Sequence, residues 1–207
     1  MRQSLITHFI PPKMDSLIAI RCKNFVLSAH DTNTGSSFLL HKTDHNKFYE
    51  LPNTVISYFG DQSEGYRLCE FISELAIYES TRHNIKTDPK LVSNLMQKRI
   101  HDFLRKRNLG VGCIVCGKAD NGFDLYYVDP YGAMATGNYF CAGYSTYFGY
   151  GVLDKNYNFD MTKEDAIKIV KNIVECMNKR LVLGYKKFNI KIISDEGTED
   201  SFIEVGK

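Results

Sequence analysis

The segment "SLIAIRCKNFVLSAH" (residues 16–30) contains two short apolar runs, "SLIAI" and "FVLSAH", on either side of the polar turn "RCKN". Short apolar runs bounded by turn residues are typical of buried β-strands. Three similar runs follow, "SFLLH", "KFYELP" and "TVISYFG", with breaks at Gly35, Pro52 and Asn53. The first sixty residues are therefore predicted to form a succession of strands.

After these strands the apolar residues recur every three or four positions, which indicates amphipathic helices. The first predicted helix begins at Asp61, which caps it with Glu64 as the reciprocal partner, and it continues to about Arg82. The second begins in the segment "TDPK", where Thr87 or Asp88 is the cap and the proline fits the first turn.

Strands return in the second half at "VGCIVCGKA" and "FDLYYVD", which the turn "DNG" joins into a hairpin. The segment "PYGAMATGNYFCAGY" predicts a turn and one more strand, and "STYFGYGVL" a short helix. The clearest helix is "MTKEDAIKIVKNIVECMNKRLVLG", capped by Thr162 with Asp165 as reciprocal partner and terminated by Gly184. An alternating strand, "KKFNIKIIS", follows it.

The order of elements is strands, two helices, strands, one or two helices and a strand. This segregation predicts an α+β fold, because a parallel α/β sheet would require strands and helices to alternate. Two sheets stacked face to face, with helix layers outside, would bury all the apolar stripes. The length of 207 residues fits one domain, placed at residues 14–207. Residues 1–13, with Pro11-Pro12, are expected to form an extended arm outside the core.

Charge and hydropathy exclude several classes of function. The net charge of +2 is too small to imply a nucleic-acid partner. The cluster "RKR" at 105–107 ends a predicted helix, where cations complement the helix dipole. The chain contains no run of eighteen apolar residues, so no transmembrane helix and no membrane partner are predicted. The stretch "SLITHFIPP" is a poor signal peptide.

Six cysteines are present, several of them inside apolar patterns, which favours free thiols in a reducing intracellular compartment. Cys113 and Cys116 form a CxxC motif in a predicted strand. Residues three apart on a strand face opposite sides, and no second CxxC completes a zinc site. We therefore predict structural cysteines, no metal site and no cofactor.

Histidines offer two weaker candidate sites. His30 precedes Asp31, but neighbours on a strand point to opposite faces, and no serine or cysteine motif accompanies them. His41 and His45 flank Asp44, whereas a metal site needs three or four convergent ligands. A polar turn is the favoured interpretation of this second cluster.

At larger scale the chain resembles the β-type subunits of the 20S proteasome from residue 14 to about 195. The most specific stretch is "GYSTYFGYGVLDKNYNFDMTKEDAIKIV" (143–170), supported by "LYYVDPYG" and "FGDQSE". Within the family, "MDSLIAI", "TDHNKFYEL" and "NKRLVLGYKKFNIKII" are most similar to the non-catalytic subunit at the fourth β position, called β type-2 in vertebrates. The resemblance implies the four-layer αββα sandwich of the N-terminal-nucleophile hydrolases.

Active members that this chain resembles cleave peptides with an N-terminal threonine, whose own amine accepts the hydroxyl proton. The resemblance assigns the supporting aspartate to Asp31, the lysine to Lys47, and the glycine that donates the oxyanion N–H to Gly60. The nucleophile position falls on Met14 or Asp15, depending on the placement of a one-residue gap, and neither carries a hydroxyl. These five positions are expected to be a vestigial active site, with Asp31 and Lys47 as a structural ion pair.

Two further departures from the active pattern support the same expectation. An aspartate of active members falls on Leu181, and a serine falls near Tyr144, although Ser145 is adjacent. The resemblance thus implies a non-catalytic β subunit that supports assembly of the chamber for ATP- and ubiquitin-dependent protein degradation. Its partners would be other α and β subunits in stacked seven-membered rings, in the cytoplasm and nucleus. An active peptidase that uses Ser16 after cleavage behind Asp15 is the alternative.

Overall fold

A computed structural model describes residues 15–36, 39–182 and 184–205, so Met14 and the arm predicted for residues 1–13 lie outside the described residues. The strands in the first half are β1 (Ser16–Arg21), β2 (Phe25–Asp31), β3 (Thr34–Ser36), β4 (Leu39–Lys42), β5 (Phe48–Leu51) and β6 (Thr54–Gly60). Helices α1 (Gln62–His83) and α2 (Pro89–Leu104) follow. The second half contains β7 (Val111–Ala119), β8 (Gly122–Val128), β9 (Met134–Thr136), β10 (Tyr139–Gly143), α3 (Thr146–Asn156), α4 (Lys163–Arg180), β11 (Lys187–Ser194) and β12 (Gly197–Glu204).

Two five-stranded antiparallel sheets form the centre of the molecule. The first has the strand order β10-β1-β2-β11-β12 and the second β5-β6-β7-β8-β9, while β3 and β4 pair as a separate hairpin. Helices α3 and α4 cover the first sheet, and α1 and α2 cover the second. The predicted α+β class and the four-layer αββα sandwich are confirmed.

Three apolar clusters correspond to the three interfaces between the four layers. The middle cluster lies between the sheets and joins inward side chains of both, including Leu17, Val26, Val55 and Ile114. The two outer clusters join each sheet to its helices. Since alternate residues of a strand point to opposite faces, strands buried on both faces read as continuous apolar runs.

Helix α1 begins at the predicted cap, but the predicted reciprocal bond is wrong. The Asp61 carboxylate accepts hydrogen bonds from the backbone N–H groups of Ser63 and Glu64, each at 3.1 Å. The Asp61 N–H donates to the carbonyl of Gly110 at 3.0 Å, and the Glu64 carboxylate instead pairs with Arg107. The backbone carbonyl of Gly110, in the segment before β7, therefore accepts the hydrogen bond from the Asp61 N–H that the Glu64 side chain was expected to accept.

Other parts of the fold also differ from the prediction, among them β3, which contains the predicted break at Gly35. The single strand predicted in "PYGAMATGNYFCAGY" divides into β9 and β10, which belong to different sheets. Helix α4 ends at Arg180 rather than at Gly184, because Leu181 adopts an extended backbone and the Asn178 amide bonds both backbone groups of Tyr185. Strand β12 was not predicted, since all its positions except Ile203 are exposed and its sequence lacks apolar alternation.

The CxxC cysteines lie on opposite faces of β7, as strand geometry predicts. Cys113 packs toward α1 and α2, whereas Cys116 packs between the sheets. Burial raises the pKa of both thiols to about 12, so neither is a thiolate at neutral pH. No helix among the described residues is long and apolar enough to cross a membrane.

Two helical glycines give a matched test of how α1 packs on β6. A Cβ atom at Gly65 in α1 would lie 2.3 Å from the buried ring of Tyr58, whereas one at Gly151 in α3 would meet nothing within 4 Å. We expect Gly65→Ala to lower the free energy of unfolding by roughly 1–3 kcal/mol through overpacking. Gly151→Ala should raise it by about 0.5–1 kcal/mol, because alanine favours helix more than glycine does. Urea unfolding measures both, and equal stabilities would contradict the packing of α1 on β6.

Candidate functional site

Four of the five predicted site positions converge at one place between the two sheets. Asp15 immediately precedes β1, Asp31 ends β2, Lys47 precedes β5, and Gly60 ends β6. Strands β1 and β2 belong to one sheet and β5 and β6 to the other, so the site joins both sheets. Met14, the other candidate for the nucleophile position, lies outside the described residues.

A lysine between two carboxylates is the centre of this site. The Lys47 Nζ atom lies 2.6 Å from Asp15 Oδ1, and 2.9 and 3.0 Å from the two carboxylate oxygens of Asp31. Lys47 and Asp31 are completely buried, and Asp15 is 3% exposed. The expected ion pair between Asp31 and Lys47 is therefore present, with Asp15 as a second anion on the same cation.

The Asp15 carboxylate is also bound by donors at the end of β6 and the start of α1. The Gly60 N–H donates to Asp15 Oδ2 at 2.8 Å, and Gln62 Nε2 donates to Asp15 Oδ1 at 2.9 Å. Gly60 has a φ of +102°, and a Cβ atom there would lie 2.0 Å from the carbonyl oxygen of Gly110. Only glycine can adopt this conformation without strain, and the conformation points the N–H at Asp15.

The Asp31 carboxylate is satisfied by two backbone donors besides Lys47. The Ser16 N–H lies 2.6 Å from Oδ1, and the Asn33 N–H lies 3.0 Å from Oδ2. Burial and the charge of Asp15 nevertheless raise the pKa of Asp31 to about 6, against the opposing effect of Lys47. Burial acts to lower the pKa of Lys47, but the charges of Asp31 and Asp15 outweigh it and raise that pKa. Lys47 is therefore a cation at neutral pH.

His30 fixes the backbone that carries Lys47, a role that the sequence did not reveal. Its Nδ1 lies 2.7 Å from the Asp31 carbonyl oxygen, and its Nε2 accepts the Lys47 N–H at 3.2 Å. A proton on Nδ1 and a lone pair on Nε2 satisfy these two contacts, and Nε2 also lies 3.1 Å from Asn46 Oδ1. Burial lowers the pKa of His30 to about 4, which agrees with this neutral tautomer. The bond goes to the backbone of Asp31, so the two side chains form no catalytic His-Asp pair.

Gln62 is the other site residue that sequence reasoning missed. It is the first residue of α1, and no motif distinguishes it from an ordinary polar residue in a first turn. Its proximity to Asp15 follows from the position of α1 directly after Gly60. In the sequence, only its position two residues after Gly60, the glycine that the resemblance assigns, could have indicated that Gln62 belongs to the site.

The remaining residues considered from sequence lie in structural positions. Ser16 is completely buried in β1 opposite Gly143. The Ser145 hydroxyl lies 2.6 Å from the Leu17 carbonyl and 2.8 Å from the Ala142 carbonyl, and so ties α3 to the first sheet. Leu181 is the partly buried C-cap of α4.

In the polar segment, His45 and Asp44 contact different residues. His45 Nε2 lies 3.2 Å from the Tyr58 hydroxyl, and burial lowers the pKa of His45. Asp44 pairs with Lys42 at 3.5 Å on the exposed side. Within the described part of the chain, no three histidine, cysteine, aspartate or glutamate side chains are grouped as metal ligands.

Comparison with known proteins is consistent with this arrangement. Residues 14–193 match the family model described as "Proteasome subunit". The "Probable proteasome subunit beta type-4" of Encephalitozoon cuniculi is 35% identical over 89% of this chain and 94% of its own length. "Proteasome subunit beta type-2" of rice is 29% identical over 90% and 89% of the two chains, and "Proteasome subunit beta type-4" of Saccharomyces cerevisiae 26% identical over 89% and 95%.

The charge cluster gives a direct stability prediction. Lys47→Met should lower the free energy of unfolding by roughly 3–5 kcal/mol, because it leaves two buried carboxylates without their cation. Lys118→Met is the matched control, since Lys118 pairs with Asp195 at 2.7 Å while both side chains are exposed. An exposed pair contributes about 0–1 kcal/mol. Urea unfolding of both variants checks this, and similar losses would contradict a buried cluster.

The shared cation also predicts a pH dependence that Asp15 controls. The pKa of Asp31 is about 6 in the folded chain and 3.8 without the fold, so the folded state binds more protons between these values. The stability contributed by Asp31 therefore falls as the pH rises from 4 to 6. In Asp15→Asn the Asp15 charge no longer raises the Asp31 pKa, so this fall should be shallower.

The measurement is urea unfolding of wild type and Asp15→Asn at several pH values between 4 and 7. The variant should gain stability relative to wild type as the pH rises from 4 to 6. A difference that stays constant over this range would contradict the coupling. Asp102→Asn, at an exposed carboxylate on α2, is the control and should leave the pH profile unchanged.

Proposed function

The chain belongs to the proteasome subunit family as a β-type member, and from this premise we propose that it is a non-catalytic, structural subunit of the 20S core. Membership implies assembly with other proteasome subunits. We extend this to stacked seven-membered rings of α and β subunits, without nucleic-acid or membrane partners. The reduced state of the buried cysteines suits the cytoplasm and nucleus as its location.

The observation that carries the proposal is the position of the Asp15 carboxylate. Asp15 Oδ2 accepts the Gly60 N–H at 2.8 Å, and Oδ1 lies 2.6 Å from the Lys47 ammonium. In active relatives these two donors would serve the substrate oxyanion and the threonine. Here one side chain of the protein occupies both, and a carboxylate has no proton on a nucleophilic oxygen.

Connectivity of the chain supports the same conclusion. An N-terminal nucleophile uses its own free amine as the base. The nitrogen of Asp15 is acylated by Met14 in the uncleaved chain, so it cannot accept a proton. The Asp15 carbonyl accepts the Tyr144 N–H at 3.0 Å, which pairs this residue with the backbone after β10. Both features favour a residue built into the sheet rather than one exposed by processing.

Stability explains why Asp31 and Lys47 are present without catalysis. Removing one partner of a buried ion pair leaves an uncompensated charge, which costs roughly 3–5 kcal/mol. His30, Asn33 and Ser16 supply further bonds to the same cluster. The lysine and aspartate of the active pattern therefore have a sufficient structural role, and their presence does not require a peptidase.

The alternative is a peptidase that uses Ser16 after cleavage of the Asp15–Ser16 bond. One contact favours it, because the Ser16 nitrogen lies 2.6 Å from Asp31 Oδ1, where a free ammonium could be held. Cleavage would also remove Asp15 and so release Gly60 and Lys47.

Two measurements on assembled particles distinguish these functions. Intact-mass spectrometry should find that the subunit retains Asp15 as an internal residue. A covalent probe that reacts with N-terminal hydroxyl nucleophiles should label sister subunits of the same particle and leave this subunit unlabelled. The sister subunits are the internal control for probe activity.

One result would overturn the proposal. A mature chain that begins at Ser16 and takes up the probe would establish the active alternative. In that case Ser16→Ala should abolish the labelling, whereas Ser145→Ala should not, because the Ser145 hydroxyl bonds to backbone carbonyls away from the carboxylates.

A further inference from the structure

A basic groove lies between α1 and the end of α2, and its lining residues are distinct from those of the carboxylate cluster. We call it the arginine groove and define it by Arg67, Phe71, Arg99, Phe103 and Arg107. Its volume is about 160 Å³. Because it lies on the helix layer that covers the second sheet, it can be contacted without opening the sandwich.

Arg99 is held between two aromatic rings. Its guanidinium carbon lies 4.0 Å from the ring centroid of Phe71 and 4.6 Å from that of Phe103. Stacking against ring faces orients a guanidinium and leaves its in-plane N–H donors directed outward. Within the described residues, neither Arg99 nor Arg67 forms an ion pair with a carboxylate.

The groove carries an excess of positive charge. Arg107 is paired with Glu64 at 3.0 Å, which is the one carboxylate among the groove-lining residues. Two further cations, Arg105 and Lys106, are exposed beside it. The "RKR" cluster was expected to end a helix, and Arg105 is indeed the C-cap of α2, with Lys106 and Arg107 directly after it.

The surrounding surface has the composition of a protein interface. Tyr66, Phe71, Ile77 and Tyr78 are exposed on α1, at 53%, 39%, 52% and 55% respectively. Exposed aromatic residues together with arginine are enriched at the centres of interfaces, where lysine is depleted. This face of α1 therefore has the properties of a surface that is covered in an assembly.

We propose that the arginine groove binds an aspartate or glutamate side chain presented by a neighbouring proteasome subunit. A carboxylate matches the planar fork of a guanidinium, and Arg99, held by its two rings, offers that fork in the same groove as the exposed Arg67. The apolar rings that flank Arg99 exclude water and so strengthen the pair. The inference rests on membership of a multi-subunit family and is independent of whether the site at Asp15 is catalytic.

The first experiment uses the wild-type chain in purified particles. Phenylglyoxal modifies accessible arginines, and mass spectrometry gives its rate of reaction at each one. Arg67 is exposed in the isolated chain, so protection of Arg67 in the particle must come from a partner. We expect Arg67 to react roughly tenfold more slowly in native particles than in particles unfolded in urea, because arginines in interface cores are shielded from solvent. Equal rates would overturn the proposal.

The second experiment tests the charge of the groove by competition. Wild type and the Arg67→Glu/Arg99→Glu variant, which differ in mass, are co-expressed, and mass spectrometry gives their ratio in assembled particles. The variant should be under-represented by roughly tenfold, because like charges across an interface repel. The control is Lys90→Glu/Lys98→Glu, the same charge change at exposed positions of α2 outside the groove, which should assemble like wild type.

A conservative variant separates the effect of the planar guanidinium from the effect of the positive charge. Arg67→Lys/Arg99→Lys keeps the charge but lacks the planar fork, so its incorporation should lie between those of wild type and the glutamate variant. Incorporation of the glutamate variant at the wild-type level would overturn the proposal. Since the labelling experiment uses unaltered protein, a folding defect in any variant cannot produce its result.

Discussion

The fold depends on one buried cation that two carboxylates share. Lys47 belongs to the segment that enters the second sheet, whereas Asp15 and Asp31 belong to the first, so their contacts fasten the sheets together at one end of the sandwich. Breaking any one of these bonds would leave a charge in an environment without water. This constraint accounts for the strict placement of the surrounding donors: Gly60, Gln62 and the backbone N–H groups of Ser16 and Asn33.

The same arrangement supports the proposal that this chain keeps the scaffold of its family without the reaction. A catalytic site must keep its oxyanion donor open and its nucleophile reactive. In this chain the Asp15 carboxylate accepts the Gly60 N–H and contacts the Lys47 ammonium, which supports the proposed lack of catalysis. On the outer surface, the arginine groove offers an oriented cation, Arg99, that forms no ion pair with a carboxylate within the described residues.

Much of this could be predicted from sequence, and the limits have physical causes. Strands β6 and β7 match their predicted bounds, because continuous apolar runs between turn residues give a strong local signal. Strand β12 gave no such signal, since it lies at a sheet edge and exposes nearly every side chain. Asp31, Lys47 and Gly60 were assigned by resemblance. The choice between Met14 and Asp15 depends on a one-residue register that the sequence alone does not set. Of the two, the structure describes Asp15, whose carboxylate contacts Lys47 and Gly60.

The central claim is that Asp15 is an internal residue whose carboxylate occupies the Gly60 donor. A density map of the assembled particle, at a resolution that places carboxylate oxygens, tests it most directly. The account predicts main chain that continues from Asp15 toward residue 14, with one Asp15 oxygen about 3 Å from the Gly60 nitrogen. A chain that begins at Ser16, or a Gly60 N–H that faces open solvent, would contradict it.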